Sequence, residues 1–148
     1  MRVVFGAFLG LACTLAPAVA DEKPAARYGV EADLKTYPQD SPKAALASVL
    51  KAAGDQQFDY LDAQLADPTF IDERVKRYYG GEFAEQVKDT RARLDPVTLK
   101  QLRRFLDDGD WTVDEATAVV RLKDVPDRAV YLRKKDGRWY MEHRSKVR

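Results

Sequence analysis

The chain of 148 residues contains one cysteine, Cys13, and one histidine, His143. A single thiol cannot close a disulfide within the chain or build a thiolate metal set, and a single imidazole leaves a histidine-based metal site without a second such ligand. An excess of charge of either sign is also missing, since 25 Lys and Arg stand against 24 Asp and Glu. The basic residues Arg91, Arg93, Lys100, Arg103 and Arg104 are interleaved with acids, so they read as an exposed charged face, and no nucleic-acid partner is expected. No glycine-rich phosphate loop is present. Tyr78-Tyr79-Gly80-Gly81 is the nearest candidate, but it lacks the strand before and the helix after that a phosphate cradle needs, and it reads as a helix stop. Asp107, Asp108 and Asp110 are compact enough to interest a hard cation. Their spacing fails the calcium-loop pattern, and the expectation is a solvated turn. No serine, cysteine or carboxylate pair is placed recognisably around His143, so no catalytic residue is assigned and no cofactor or metal is expected.

One long apolar run is present, at the start. Val3 to Leu15 follows the basic Arg2, and Ala18-Val19-Ala20 before Asp21 has the small-x-small form of a cleavage site. Residues 1–20 therefore read as a signal peptide, and the chain is expected to be exported, periplasmic or extracellular. A lipoprotein reading would use Cys13, but Gly10-Leu11-Ala12-Cys13 matches that pattern poorly; membrane contact is expected only through lipidation there. Arg2 is the signal's one charged residue, so its removal leaves 24 basic against 24 acidic residues and no cysteine. Residues 21–40 hold two prolines, mixed charge and no apolar period. They read as an extended tail or tether, laid on the domain through Tyr28, Val30, Leu34 and Tyr37.

Residues 41–148 read as a single domain. Ser41-Pro42 is a cap and first-turn pair opening a helix through Leu46, Val49, Leu50 and Ala53 to Gly54. Asp55 is expected to cap a second helix through Phe58, Leu61 and Leu65, stopped at Asp67-Pro68. Segments from Phe70 to Tyr79 and from Glu82 to Leu94 follow, and Asp95-Pro96 opens a fifth helix with the stripe Leu99, Leu102, Phe105 and Leu106. Strands come last: Trp111 to Val113, Thr117 to Leu122, Arg128 to Lys134 and Arg138 to His143. Asp136-Gly137 between the final two is the signature of a tight hairpin, and with these two as its central residues Leu132 faces Met141 and Lys134 faces Trp139. One sheet face then carries Val130, Leu132, Trp139 and Met141. The other carries Tyr131, Arg133, Tyr140 and Glu142. Helices followed by an antiparallel meander of three or four strands make an α+β domain, with the helices packed on one face of a curved sheet.

Ser41 to Leu46 opening a long helix, the Gly54-Asp55 break with Phe58, Leu61 and Leu65, and the strands from Trp111 to Glu142 resemble the cone-shaped ketosteroid-isomerase-like and nuclear-transport-factor-like superfamily, which includes SnoaL-like proteins. The same pattern is similar to that of small exported bacterial proteins of unassigned function. This resemblance implies a pocket between helices and sheet, and often a homodimer through the outer sheet face. Its enzymes place an acidic base and a tyrosine or acid donor in the cone. No residue here matches those positions: Tyr60, Tyr78 and Tyr79 fall on helices, and Asp107 and Asp110 at a turn.

The expected function is non-enzymatic binding. A small apolar or aromatic ligand would sit in the cone against Trp111, Trp139, Met141 and His143, or a protein partner would cover Arg121, Tyr131, Arg133 and Tyr140 on the outer face, where aromatic and guanidinium groups of the kind found at interfaces mix. The alternative is an isomerase or hydrolase of the ketosteroid-isomerase-like type. It requires a carboxyl group desolvated in a pocket, with its pKa raised.

Overall fold

A computed structural model of the chain describes residues 23–144. The expected signal peptide with Cys13 lies outside the described residues, as do the first two residues of the expected tail and residues 145–148.

Among the described residues, five helices precede a four-stranded antiparallel sheet. Helix α1 is Pro42–Gly54, with Ser41 Oγ accepting from Ala44 N–H at its start. Helix α2, Phe58–Tyr60, runs directly into a π-helical turn, Leu61–Leu65. Helices α3 (Pro68–Tyr78), α4 (Phe83–Arg93) and α5 (Pro96–Asp108) follow. Asp67 and Asp95 cap α3 and α5 through their side chains, each before a proline whose missing N–H costs the first turn nothing. Asp55 has another role than the one expected of it. It terminates α1, pairs with Lys51 and accepts from Tyr37 Oη, while Gln57 precedes α2.

The strands are β1 (Asp110–Val113), β2 (Thr117–Leu122), β3 (Val125–Lys135) and β4 (Arg138–Glu142), in the spatial order of the chain. Leu132 faces Met141 and Lys134 faces Trp139, as the hairpin signature requires. Asp136 and Gly137 both have positive φ, 48° and 76°, the backbone of a primed two-residue turn. Pro126 lies where the pairing of β2 with β3 jumps from Arg121–Ala129 to Leu122–Val125, so its lack of an N–H interrupts no regular ladder.

One sheet face is dry. Ala118, Val120, Leu122, Val130, Leu132 and Trp139 form a core with Ala45, Leu46 and Phe105, which sets α1 and α5 across the sheet. A second core lies beyond α1, where Val49, Ala52 and Ala53 meet Phe58, Leu61 and Leu65, and Met141 packs against both. Residues 23–40 lie along the domain as a strap, held at Tyr28, Val30 and Tyr37. Tyr37 is buried in the second core, and the Tyr28 ring stacks on Phe83 with centroids 4.1 Å apart. Gln39 inserts its amide between Gln64 O, at 3.0 Å, and Trp139 O, at 2.8 Å.

Gly109 joins α5 to β1 at a point of close approach. A Cβ there would overlap the Phe105 carbonyl oxygen and Val120 Cγ2. Gly109→Ala should therefore lower unfolding stability in urea by about 1–3 kcal/mol, as overpacking does; a loss under about 0.5 kcal/mol would show that this junction relaxes freely.

Candidate functional site

The site is built on the π turn. Ala66 N–H bonds to Leu61 O at 2.9 Å, five residues back, and all of Leu61–Leu65 is buried. Residues two apart on a helix point to nearly opposite sides, and here both sides are used. Leu61 and Leu65 enter the second core. Asp62 turns toward α4, where Thr90 Oγ1 donates to its Oδ1 at 2.9 Å. Gln64 turns toward the strap, and its Nε2 donates to Val30 O at 2.8 Å and Ala25 O at 3.3 Å.

A helix end leaves its last carbonyls unpaired, and the strap supplies the missing donors. Arg27 Nε bonds to Ala63 O at 2.8 Å, Gln39 Nε2 bonds to Gln64 O, and the Arg27 guanidinium is itself held by Asp72 of α3. Beyond the turn, Asp67 N–H bonds to Met141 O at 2.9 Å. The segment carrying Asp62 is thereby fastened to the strap on one side and to β4 on the other.

Beside Asp62 lies a cavity of about 240 Å³ between the π turn, α3, α4, the start of α5 and the end of β4. Leu61, Ala66, Phe70, Ile71, Leu94 and Met141 give it an apolar wall. Asp62, Arg74, Asp89, Arg93 and His143 are its ionisable lining groups. Arg74 Nη2 pairs with Asp89 Oδ2 at 2.9 Å, and Arg93 Nε reaches the same oxygen at 2.8 Å. His143 stacks on Phe70 with centroids 4.6 Å apart, and partial burial, with Arg74 and Arg93 nearby, lowers its pKa from the ordinary histidine value.

Asp62 is 2% exposed and its Oδ2 has no hydrogen-bond partner among the described residues. Removal from water pushes its pKa up to about 7, against the opposing pull of the Thr90 hydroxyl, the nearby Gln86 amide and the charge of Arg74. At neutral pH the carboxyl is therefore divided between its acid and its anion, the condition that suits a proton donor or acceptor.

Of the four residues expected to line a ligand pocket, Met141 and His143 line this cavity. Trp139 is buried in the core under the sheet and Trp111 packs against that core, so the cavity sits beyond the end of β4 and not beneath the tryptophans. On the outer face, Arg121 is exposed, Arg133 pairs with Glu142, and the Arg144 guanidinium lies 4.1 Å over the Tyr131 ring. Tyr140 departs from expectation: it is 4% exposed, beside Arg27 and Pro68 in the groove between strap and hairpin. Asp107, Asp108 and Asp110 form no metal-binding group, and none of three or more His, Cys, Asp or Glu occurs among the described residues. No described helix is long and apolar enough to cross a membrane.

Asp62 carried a signal that was readable without coordinates. Phe58, Leu61 and Leu65 mark an apolar stripe, and Asp62, four residues after Phe58, falls on that stripe. An acid on a core-facing stripe is either neutral, paired or functional. Compared with family models, curated proteins and solved structures, the chain matches none.

A carboxyl whose folded pKa lies above its unfolded value binds a proton in the folded state that the unfolded state releases. Its contribution to stability is present below about pH 4 and is lost as pH rises through about 7. Asp62→Asn removes that penalty while keeping the shape. The variant should equal the parent near pH 4 and exceed it by about 2–4 kcal/mol at pH 8 in urea unfolding; equal stabilities at both pH values would contradict a desolvated Asp62.

Proposed function

We propose that this chain is an exported binding domain that takes a small, mainly apolar molecule into the cavity beside Asp62. The observation that carries the reading is the unpartnered Oδ2 of a buried carboxyl on the wall of an apolar cavity. Leaving such an atom unpaired costs about 1–3 kcal/mol, and a ligand that hydrogen-bonds to it recovers that energy along with the burial of its own apolar surface. A volume of about 240 Å³ is below the roughly 300–1,000 Å³ of drug-sized sites, which favours a ligand about the size of one substituted ring. Export rests on the sequence pattern of residues 1–20. The superfamily resemblance adds a pocket between helices and sheet.

A protein partner on the outer sheet has less behind it. Tyr140 is covered, and Arg133 and Tyr131 already have partners within the chain.

The pKa of Asp62 also favours a second reading, proton transfer by this carboxyl in a ketosteroid-isomerase-like isomerase or hydrolase. A carboxyl near pH 7 can take a proton and return it. Under this reading Asp62→Asn abolishes turnover of a molecule that still binds.

Native mass spectrometry of the protein purified from its own source should show a bound small mass, released on activation. Leu94→Trp, which places bulk in the cavity, should lose that mass without losing the fold. Protein that carries nothing, both as isolated and after exposure to extracts of its source, would contradict the proposal.

A further inference from the structure

We infer that the ligand of this cavity is a small carboxylic acid, held with its carboxylate accepting a hydrogen bond from Asp62 Oδ2–H and its charge balanced by Arg74 and Arg93. This rests on the reading of the cavity as a ligand site and adds the chemical class.

The direction of the hydrogen bonds around Asp62 is fixed by chemistry. Arginine can only donate, and Arg74 Nε meets Gln86 Oε1 at 2.9 Å. The Gln86 amide is thereby oriented with its NH₂ outward, and Nε2 donates to Thr90 Oγ1 at 3.0 Å. Having accepted that bond, the Thr90 hydroxyl turns its own proton to Asp62 Oδ1, at 2.9 Å. Oδ1 is committed as an acceptor. Whenever Asp62 holds a proton, the proton is on Oδ2, the oxygen without a partner.

Charge selects what that proton meets. The charged or titratable groups lining the cavity with Asp62 are Arg74 on α3, Asp89 and Arg93 on α4, and His143 after β4; α5 supplies the neutral Thr98. Two guanidiniums share one carboxylate, Asp89. With His143 neutral, the described residues of the lining carry one net positive charge when Asp62 is protonated. Ionising Asp62 would cancel it, but only by creating a buried anion with an unsatisfied oxygen near Asp89, whose charge opposes the ionisation. A ligand carboxylate cancels the charge with the proton left in place, and it brings an acceptor to Oδ2–H. An ammonium ligand would face two guanidiniums, and a neutral ligand would leave the excess to be balanced by solvent at the half-exposed Arg93. Arg93 meets Asp89 through Nε, which leaves its Nη fork for a carboxylate at the mouth. Phe70, Ile71, Leu94 and Met141 receive the ring or short alkyl body.

Matched probes test this on the intact protein: benzoate, benzamide and benzyl alcohol, with their cyclohexyl counterparts, titrated by amide NMR at pH 6 and pH 8.5. The acids should bind at least about tenfold tighter than the amides and alcohols at pH 6. Their affinity should fall by about thirtyfold at pH 8.5, because the competent, protonated fraction of Asp62 falls by that factor. Asp62→Asn keeps a donor and cannot titrate, so acid binding should persist and become independent of pH. Arg93→Gln should weaken the acids about tenfold and leave the amides unchanged. Amides or alcohols binding as tightly as acids, or acid binding equal at the two pH values with Asp62 intact, would overturn the inference while sparing the site. If no probe perturbs Leu61, Phe70, Met141 or His143 at either pH, the site reading fails with it.

Discussion

The hydrogen bonds that fasten residues 61–65 from two sides are what the rest of the structure depends on. A π turn is a poor solution for an isolated helix, because its bonds are wide and its end carbonyls stay open. Here Arg27 and Gln39 donate to Ala63 O and Gln64 O, and Asp67 N–H ties the following residue to β4. Each such bond is worth about 1 kcal/mol net, but each would cost more than that if one partner were removed and a buried carbonyl left alone. The turn is stable because the strap, the second core and the sheet edge meet on it. Asp62 is held in a dry place as a consequence.

Burial of that carboxyl connects the fold to its chemistry. The buried polar residues Gln39, Gln64 and Gln86 are costly unless satisfied, and each one is used. Gln39 and Gln64 join strap, π turn and hairpin, and Gln86 sets the polarity of the relay from Arg74 to Asp62. The relay stops one bond short, at Oδ2. That open atom is what the proposed ligand site rests on. Residues 23–40 belong to this network, so the segment after the signal pattern is part of the working domain.

Local signals made much of the fold legible. Ser41 and Asp95 before prolines mark two helix starts, and Asp136-Gly137 sets the register of β3 on β4, because these depend on neighbours in sequence; Asp67-Pro68, expected only as a stop, also opens α3 two residues before the expected Phe70. Asp55 shows the limit of such signals. An acid after a glycine can open one helix or close the previous one, and contact with Tyr37 and Lys51 decides for closing. Tyr140 and Trp139 sit on the sheet faces expected of them, but what covers each face was not legible: whether a strand residue lines a cavity, a core or a groove depends on segments such as the strap that lie a hundred residues away in the chain. Asp62 was visible as an acid on an apolar stripe. Its raised pKa and open oxygen were not, since both come from α3 and α4 packing around it.

The most direct test of this account is the titration of the Asp62 side-chain carboxyl carbon, assigned by comparison with Asp62→Asn. A midpoint close to pH 7, well separated from the other aspartates, is the predicted result. A midpoint near pH 4, where exposed aspartates titrate, would mean that water reaches Asp62, and the site, its proton and its ligand chemistry would have to be abandoned.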